Sequence, residues 1–338
     1  MKIGVIFGGK SAEHEVSILS ARSVINVIDK NKFEIIPIGI TRDGLWCHCD
    51  NDLNFGKCVT FLEACSSILS KIDIAFPVLH GPFGEDGTIQ GFFEIASIPY
   101  VGAGVLGSAI GLDKDVTKRL LVESGILVAE YLVFDKPPNY KDVTNYLGSP
   151  CIIKSSNMGS SICLTKAWNE IEFYEGVELA FEYDKKIIIE KNICGRELEC
   201  SILGLRDPIA SLPGEIAIKD GGMYTYEAKY LNEEMVELII PAILSKAKVA
   251  EVQSLALKTF KILCCDGMAR VDFFMDYEEK LYVNEINTIP GFTEMSMYPK
   301  LWQISGISYT RLIEHLIEIA IKRFQQSLGL KNSTRNLV

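Results

Sequence analysis

The sequence predicts an α/β protein that opens on a parallel sheet and continues into an α+β half, and three observations carry this. Over the first hundred residues, short β-rich runs alternate with helical patterns, the signature of a parallel sheet under covering helices. The remainder gathers further strands around one amphipathic helix and closes on another. At 338 residues the chain exceeds one small core and fits about two or three domains.

Taken in order, Ile3 to Phe7 reads as a first buried strand, its apolar run too short for the core of an export signal. A helix follows over Ser17 to Ile28, then strands over Phe33 to Ile40, Ile72 to Leu79 and Pro99 to Val101. Binding sites in such sheets lie beyond the carboxyl ends of strands. Here those loops begin Gly8-Gly-Lys-Ser, His80-Gly-Pro-Phe and Gly102-Ala-Gly. From about Leu106 to Lys191 the pattern is a helix carrying Lys114 and Lys118, then strands near Ile126 to Phe134, Cys151 to Lys154 and Ile187 to Glu190: a small α+β lid. Further strands fall near Leu198 to Leu203, Ile209 to Leu212, Val236 to Pro241, Ala269 to Met275 and Leu281 to Ile286. Val249, Val252, Ala256, Phe260 and Leu263 share one helix face, and Ile313, Leu316, Ile317, Ala320 and Phe324 another. The expected division is an N-terminal domain over 1–105, a central lid over 106–191, a C-terminal domain over 192–328 and a polar tail over 329–338.

Composition narrows the function classes. With 34 Lys plus Arg against 44 Asp plus Glu, the net charge is -10 and the basic residues are scattered, so nucleic acid is not an expected partner. The ten cysteines lack a regular spacing, which argues for reduced thiols, and Cys47-His-Cys49 lacks two further ligands at a finger-like spacing. Pro99 and the glycines at 102, 104, 107 and 111 break the one long uncharged stretch, so no membrane span and a cytoplasmic location are expected.

Chemistry concentrates in a few segments. Arg270-Val-Asp272 opens one strand and Asn284-Glu285-Ile-Asn287 ends the next, so Asp272, Glu285 and Asn287 can share a side and offer magnesium hard oxygen ligands. Such a cation takes its other ligands from nucleotide phosphates and water; ordinary surface carboxylates would show the same letters. In the following loop the Gly291 amide, beside the Arg270 cation, suits a developing oxyanion, and Ser296 suits a carboxylate, although Pro290-Gly291 also fits a plain turn. Lys154 followed by Gly159-Ser160-Ser161 suits phosphate oxygens or a flexible hairpin, and Lys114 is a second phosphate candidate. Glu190-Lys191, at the end of a run of isoleucines, can read a nucleobase, and Glu197 can take ribose hydroxyls. The stretch from Lys219 to Glu234, with Tyr226, Lys229 and Tyr230, has the length and composition of a lid loop or a surface excursion.

Together these segments resemble the ATP-grasp superfamily and, within it, the D-alanine:D-alanine ligases. The match runs from Gly8-Gly-Lys-Ser-Ala-Glu13-His-Glu-Val-Ser17 through His80-Gly-Pro-Phe-Gly-Glu-Asp-Gly and Glu227-Ala-Lys-Tyr230 to Asn284-Glu-Ile-Asn-Thr-Ile-Pro-Gly291. The resemblance implies a Rossmann-like pre-ATP-grasp domain followed by a two-part ATP-grasp fold. It implies that ATP phosphorylates one D-alanine and that the amine of a second displaces phosphate. By the same resemblance Glu13 receives the first ammonium, Val16 and His80 shape that pocket, and Lys229, Ser296 and Met297 bind substrate. Lys114, Lys154, Gly159, Ser160 and Ser161 hold phosphates, and Glu190, Lys191 and Glu197 position the nucleoside. Asp272, Glu285 and Asn287 hold two Mg²⁺ or Mn²⁺, Arg270 and Gly291 stabilise the oxyanion, and Ser160 and Tyr230 link the lids. A homodimer is usual for the family, and monovalent-cation activation stays open. Ser155 and Cys163 depart from the family pattern, where proline and glycine are usual.

Two rivals differ in class. Gly102-Ala-Gly104-Val-Leu-Gly107, with Glu123 as ribose acid, spells a dinucleotide-binding oxidoreductase, but Glu123 falls inside a helical pattern. A non-catalytic ATP-binding module would not need Glu13, Arg270, Asp272, Glu285 and Asn287 together. Within the family, a D-alanine:D-lactate or D-alanine:D-serine ligase is the alternative, and the Lys229-Tyr230 pair resembles the dipeptide-forming enzymes.

Overall fold

The computed structural model describes residues 1–159, 163–218 and 236–329, and the expectations on Ser160, Ser161, Tyr226, Lys229 and Tyr230 lie outside them. The first sheet contains β1 (Lys2–Gly8), β2 (Glu34–Ile40), β3 (Trp46–Cys49), β4 (Phe55–Val59) and β5 (Ile74–Pro77), in the order β4-β3-β2-β1-β5. Its parallel part is β2-β1-β5, as the alternation of strands and helices implies, and β3 and β4 extend it antiparallel. These two strands escaped the sequence reading because they are short and broken by the polar turn at Asp50-Asn51-Asp52. In them Cys47 faces Cys58 across the ladder and forms a disulfide with it, a correction to the expectation of reduced thiols throughout. Pro99 to Val101 forms no strand; a single parallel bridge joins Ala75 to Tyr100.

Alternation along β1 sends Ile3, Val5 and Phe7 to one face and Ile6 to the other. The first face packs on α1 (His14–Val27) through Ala21, Val24 and Ile25. On the second, Ile6, Ile36 and Ile38 share a core with Ala64 of α2 (Phe61–Ser67) and Phe93 of α3 (Thr88–Ala96). Where one helix was expected from Leu106 there are two, α4 (Val105–Leu112) and α5 (Lys114–Glu123). Asp113 interrupts them: its backbone is extended, and its carboxylate caps α5 by accepting the amides of Asp115 and Val116. The Gly102 to Gly107 motif serves close packing, since a Cβ on Gly107 would lie 2.7 Å from the Cys264 carbonyl oxygen.

The second sheet, order β6-β9-β7-β8, is antiparallel and comprises β6 (Tyr131–Phe134), β7 (Cys151–Ser155), β8 (Thr165–Ala167) and β9 (Ile187–Lys191). Val143 of α6 (Tyr140–Leu147) and Phe173, Val177 and Ala180 of α7 (Glu170–Tyr183) close its core.

In the third sheet the order is β13-β12-β10-β14-β15, all antiparallel, with β11 (Ile209–Ala210) beside β10 (Gly195–Gly204). The other strands are β12 (Gly214–Ile218), β13 (Val236–Ile239), β14 (Gly267–Asp276) and β15 (Leu281–Asn287). One face is covered by α8 (Lys246–Ile262) through Val252, Ala256 and Phe260, and Leu121 of α5 joins the same core. After β15 come α9 (Met297–Ile304) and α10 (Tyr309–Leu328). Leu312, Ile313, Leu316 and Ile317 of α10 return to the first sheet and share a core with Ile3, Val5, Phe7 and Trp302. Each such side chain contributes about 1.5–3 kcal/mol when buried. Arg323 of α10 fastens the junction by donating to the carbonyls of Tyr100 and Gly102 and to Asp266.

Candidate active site

A cavity of about 470 Å³ opens between the second and third sheets, lined among others by Lys114, Lys154, Glu190, Glu197, Asp272 and Glu285. Its size is that of a small-ligand site. The lysine side is built by the second sheet and α5. Lys154 on β7 is buried; its ammonium lies 2.9 Å from Glu190 Oε2 and donates to Asn284 Oδ1 at 3.3 Å. The other oxygen of Glu190 lies 3.2 Å from Lys118, which is fully buried on α5. Burial by itself raises the Glu190 carboxyl, but the two flanking lysines outweigh it and hold the group below its ordinary range. Lys118 is pushed down by burial, an effect Glu190 partly offsets. Lys114, the first residue of α5, is buried rather than solvated; it donates to the Met158 carbonyl at 2.6 Å and lies 3.8 Å from Glu285 Oε2. Lys191 lines the cavity with its ammonium turned to Glu130 at 3.0 Å.

The opposite wall comes from β10, β14 and β15, where Asp272 pairs in register with Glu285 and with Glu199, and Arg270 with Asn287. Arg270 makes a forked contact, Nε to Asp272 Oδ1 at 2.7 Å and an Nη to Oδ2 at 2.6 Å, and its Nε lies 2.9 Å from Glu199 Oε2. Asn287 donates its amide to Asp272 Oδ2 at 2.9 Å, which leaves the amide oxygen for a cation. Two carboxylates and one amide oxygen on adjacent strands are donors that suit magnesium completed by phosphate and water. The structure therefore brings the three expected metal ligands together.

A second group lies where the first sheet meets the loop after β15. Glu13, at the start of α1, is buried and directed at two backbone turns: a Cβ on Gly81 would fall 2.7 Å from its Oε2, and one on Gly159 3.2 Å. Val16 is buried on the same helix. His80 donates through Nδ1 to the Ile289 carbonyl at 3.0 Å and accepts the Ser20 hydroxyl through Nε2 at 3.1 Å, and burial pushes the imidazole down, which favours the neutral ring. Gly291 packs against Ser296, whose hydroxyl accepts the Thr293 amide at 3.0 Å. Met297, the first residue of α9, turns its side chain into an apolar cluster with Ile216 and Leu301.

Three residues of the site were not singled out from sequence. Glu85 is buried and accepts the Gly81 amide at 2.9 Å and the Ile289 amide at 2.8 Å. Burial, then the nearby Glu13, push its carboxyl up to about 8 against the effect of those amides. Glu199 and Lys118 complete the carboxylate and lysine clusters. Glu85 stood inside the quoted His80 motif, whereas nothing local marks Glu199 or Lys118.

Two family models match the chain, D-ala D-ala ligase N-terminus over residues 2–103 and D-ala D-ala ligase C-terminus over residues 120–318. The D-alanine–D-alanine ligase of Oceanobacillus iheyensis is 44% identical over 360 residues, covering 98% of each chain. Among solved structures, the VanG D-Ala:D-Ser ligase of Enterococcus faecalis superposes with a TM-score of 0.83 at 37% identity, covering 95% of this chain and 99% of that one. The D-alanine–D-alanine ligase of Bacillus anthracis complexed with ATP gives 0.79 at 29% identity, covering 97% and 99%.

Proposed function

The chain belongs to the D-alanine–D-alanine ligase family, and on that premise we propose that it joins two D-alanines to D-alanyl-D-alanine at the expense of ATP, through a D-alanyl phosphate. The observation that carries this reading is one cavity with Lys114 and Lys154 on one side and Asp272 and Glu285 on the other, the charge pattern that a metal-bound nucleotide needs. We divide the chain at 105/106 and 191/192, with the lid over 106–191.

In this reading Glu190, Lys191 and Glu197 hold the nucleoside, while Lys114, Lys154, Gly159, Ser160 and Ser161 hold phosphates. Asp272, Glu285 and Asn287 would hold two Mg²⁺ or Mn²⁺ ions, which neutralise charge on the transferring phosphoryl group. Glu13 receives the ammonium of the first D-alanine, beside Val16 and His80. His80 stays neutral, so it shapes the pocket without repelling that ammonium. Activation is required because a free carboxylate is a poor acyl donor. When the second amine attacks, the oxyanion develops near Arg270 and the Gly291 amide, and Arg270 is already aimed by its fork on Asp272. Ser296, the Met297 amide and Lys229 take the second substrate, and closure linking Ser160 with Tyr230 excludes water from the acyl phosphate. Among the described residues no helix is long and apolar enough to cross a membrane. A cytoplasmic homodimer without nucleic-acid partners completes the reading.

Phosphate release by the purified protein with ATP and Mg²⁺ tests it, with D-alanine, L-alanine, D-lactate and D-serine compared and products identified by mass. D-alanine-dependent release with dipeptide as product is the expected result. A mixed D-alanyl-D-serine product at equal efficiency would favour the D-serine reading, which the VanG likeness motivates. Release that ignores D-alanine would leave only the fold.

A further inference from the structure

The lid sheet is tied to α5 by a charged cluster that the functional reading does not use. Lys186, just before β9, donates to both oxygens of Asp113 at 2.9 and 2.7 Å and to Asp115 Oδ2 at 3.0 Å. Asp113 Oδ1 also accepts the Ser156 hydroxyl at 2.9 Å and the two amides that start α5. The backbones close the same knot: Lys114 N donates to Ser156 O at 3.0 Å, and Ser156 N to Lys186 O at 3.0 Å. Next to it, Asp184 accepts the backbone amide of Asn157 at 2.7 Å and its side-chain amide at 3.0 Å. Thus one carboxylate, Asp113, sets both the start of the helix that carries Lys114 and the position of the loop leading from Lys154 to Gly159.

We propose that Lys186 and Asp113 are positioning residues for the nucleotide phosphates, acting through Lys114 and the 155–159 loop. The inference rests on the ATP reading above. Neither residue lines the cavity, so any effect on a nucleotide there runs through Lys114 and the loop. Their partial burial keeps the cluster from being fully screened, with Lys186 28% and Asp113 19% side-chain exposed. With the ion pair gone, the backbone bonds through Ser156 still join Lys114 to the loop but hold it less firmly, and the nucleotide must remove the added freedom on binding.

The test measures binding of ADP with Mg²⁺ by calorimetry, without D-alanine, together with steady-state kinetics. Lys186→Met should weaken ADP by about tenfold and raise KM for ATP in step, with kcat at saturating ATP and KM for D-alanine unchanged. Asp113→Asn, which retains a good helix cap, should do the same. The double variant should be no worse than either, and Lys186→Arg should restore affinity. Unchanged ADP affinity in the folded single variants, or a loss confined to kcat, would overturn the proposal. Since binding is read without turnover, ADP binding by a wild type that forms no dipeptide would count against the ligase reading and not against Lys186.

Discussion

Glu85 accepts the backbone N–H of Ile289 at 2.8 Å across 204 positions of chain, so the loop after β5 is fastened to the loop that leads to Gly291. Folded, Glu85 keeps its proton up to about 8, whereas unfolded it ionises near 4.5. Between those values the folded state holds one more proton than the unfolded state. Stability must then fall as pH rises through that window, by up to about 1.4 kcal/mol per pH unit from this group. Urea melts of the wild type and Glu85→Gln between about pH 5 and about pH 8 check this: the variant should lose that part of the slope, and identical slopes would assign it to another group.

Glu285 pairs with Asp272 in register and lies near Lys114, so its removal takes one carboxylate from the proposed metal site and alters the lysine wall. Glu285→Ala should lower Mg²⁺-dependent phosphate release on the order of 100-fold or more. Chelation of the wild type should abolish release, with recovery on adding Mg²⁺. Full activity in the variant would remove Glu285 from the metal set.

Arg270→Lys keeps the charge but not the fork that meets both oxygens of Asp272. If Arg270 is the oxyanion partner proposed here, a drop in kcat of about 100- to 1,000-fold with little change in KM for D-alanine is expected from misplacing it. A rise in KM alone would instead make Arg270 a binding group.

Thiol counting checks the Cys47–Cys58 pairing. The unfolded, unreduced chain should show eight reactive thiols, the free cysteines, and the reduced chain ten. Ten thiols before reduction would mean that the pair is open in solution.

Much of this was legible because it is written in runs. Ile187 to Ile189 are all buried, and so is Ile3 to Phe7, so uninterrupted apolar letters located both strands. Glu285 and Asn287 were legible as a pair because strand periodicity puts positions two apart on one side, and Asp272 joins them because the two strands are neighbours in sequence and pair in register. Lys114 was harder: a lysine in a helical pattern is usually solvated, and only the break at Asp113 turns it under the lid. The network of Ser20, His80 and Glu85 was not legible, since its partners Ile289 and Phe292 lie more than two hundred residues on. The same holds for Glu199, which meets Arg270 only through the β10–β14 pairing.

The shared core of β1 and α10 also imposes an order on synthesis. A ribosome adding about 5–20 residues per second needs on the order of 15–60 s to pass from the first strand to Leu312. Throughout that interval part of the apolar face of Ile3, Val5 and Phe7 stands uncovered, because Leu312, Ile313 and Leu316 have not yet been made. The nascent N-terminal half therefore exposes more apolar sheet than the finished chain, the kind of surface on which aggregation starts. A chain stopped short of α10 would lack that cover over Ile3, Val5 and Phe7.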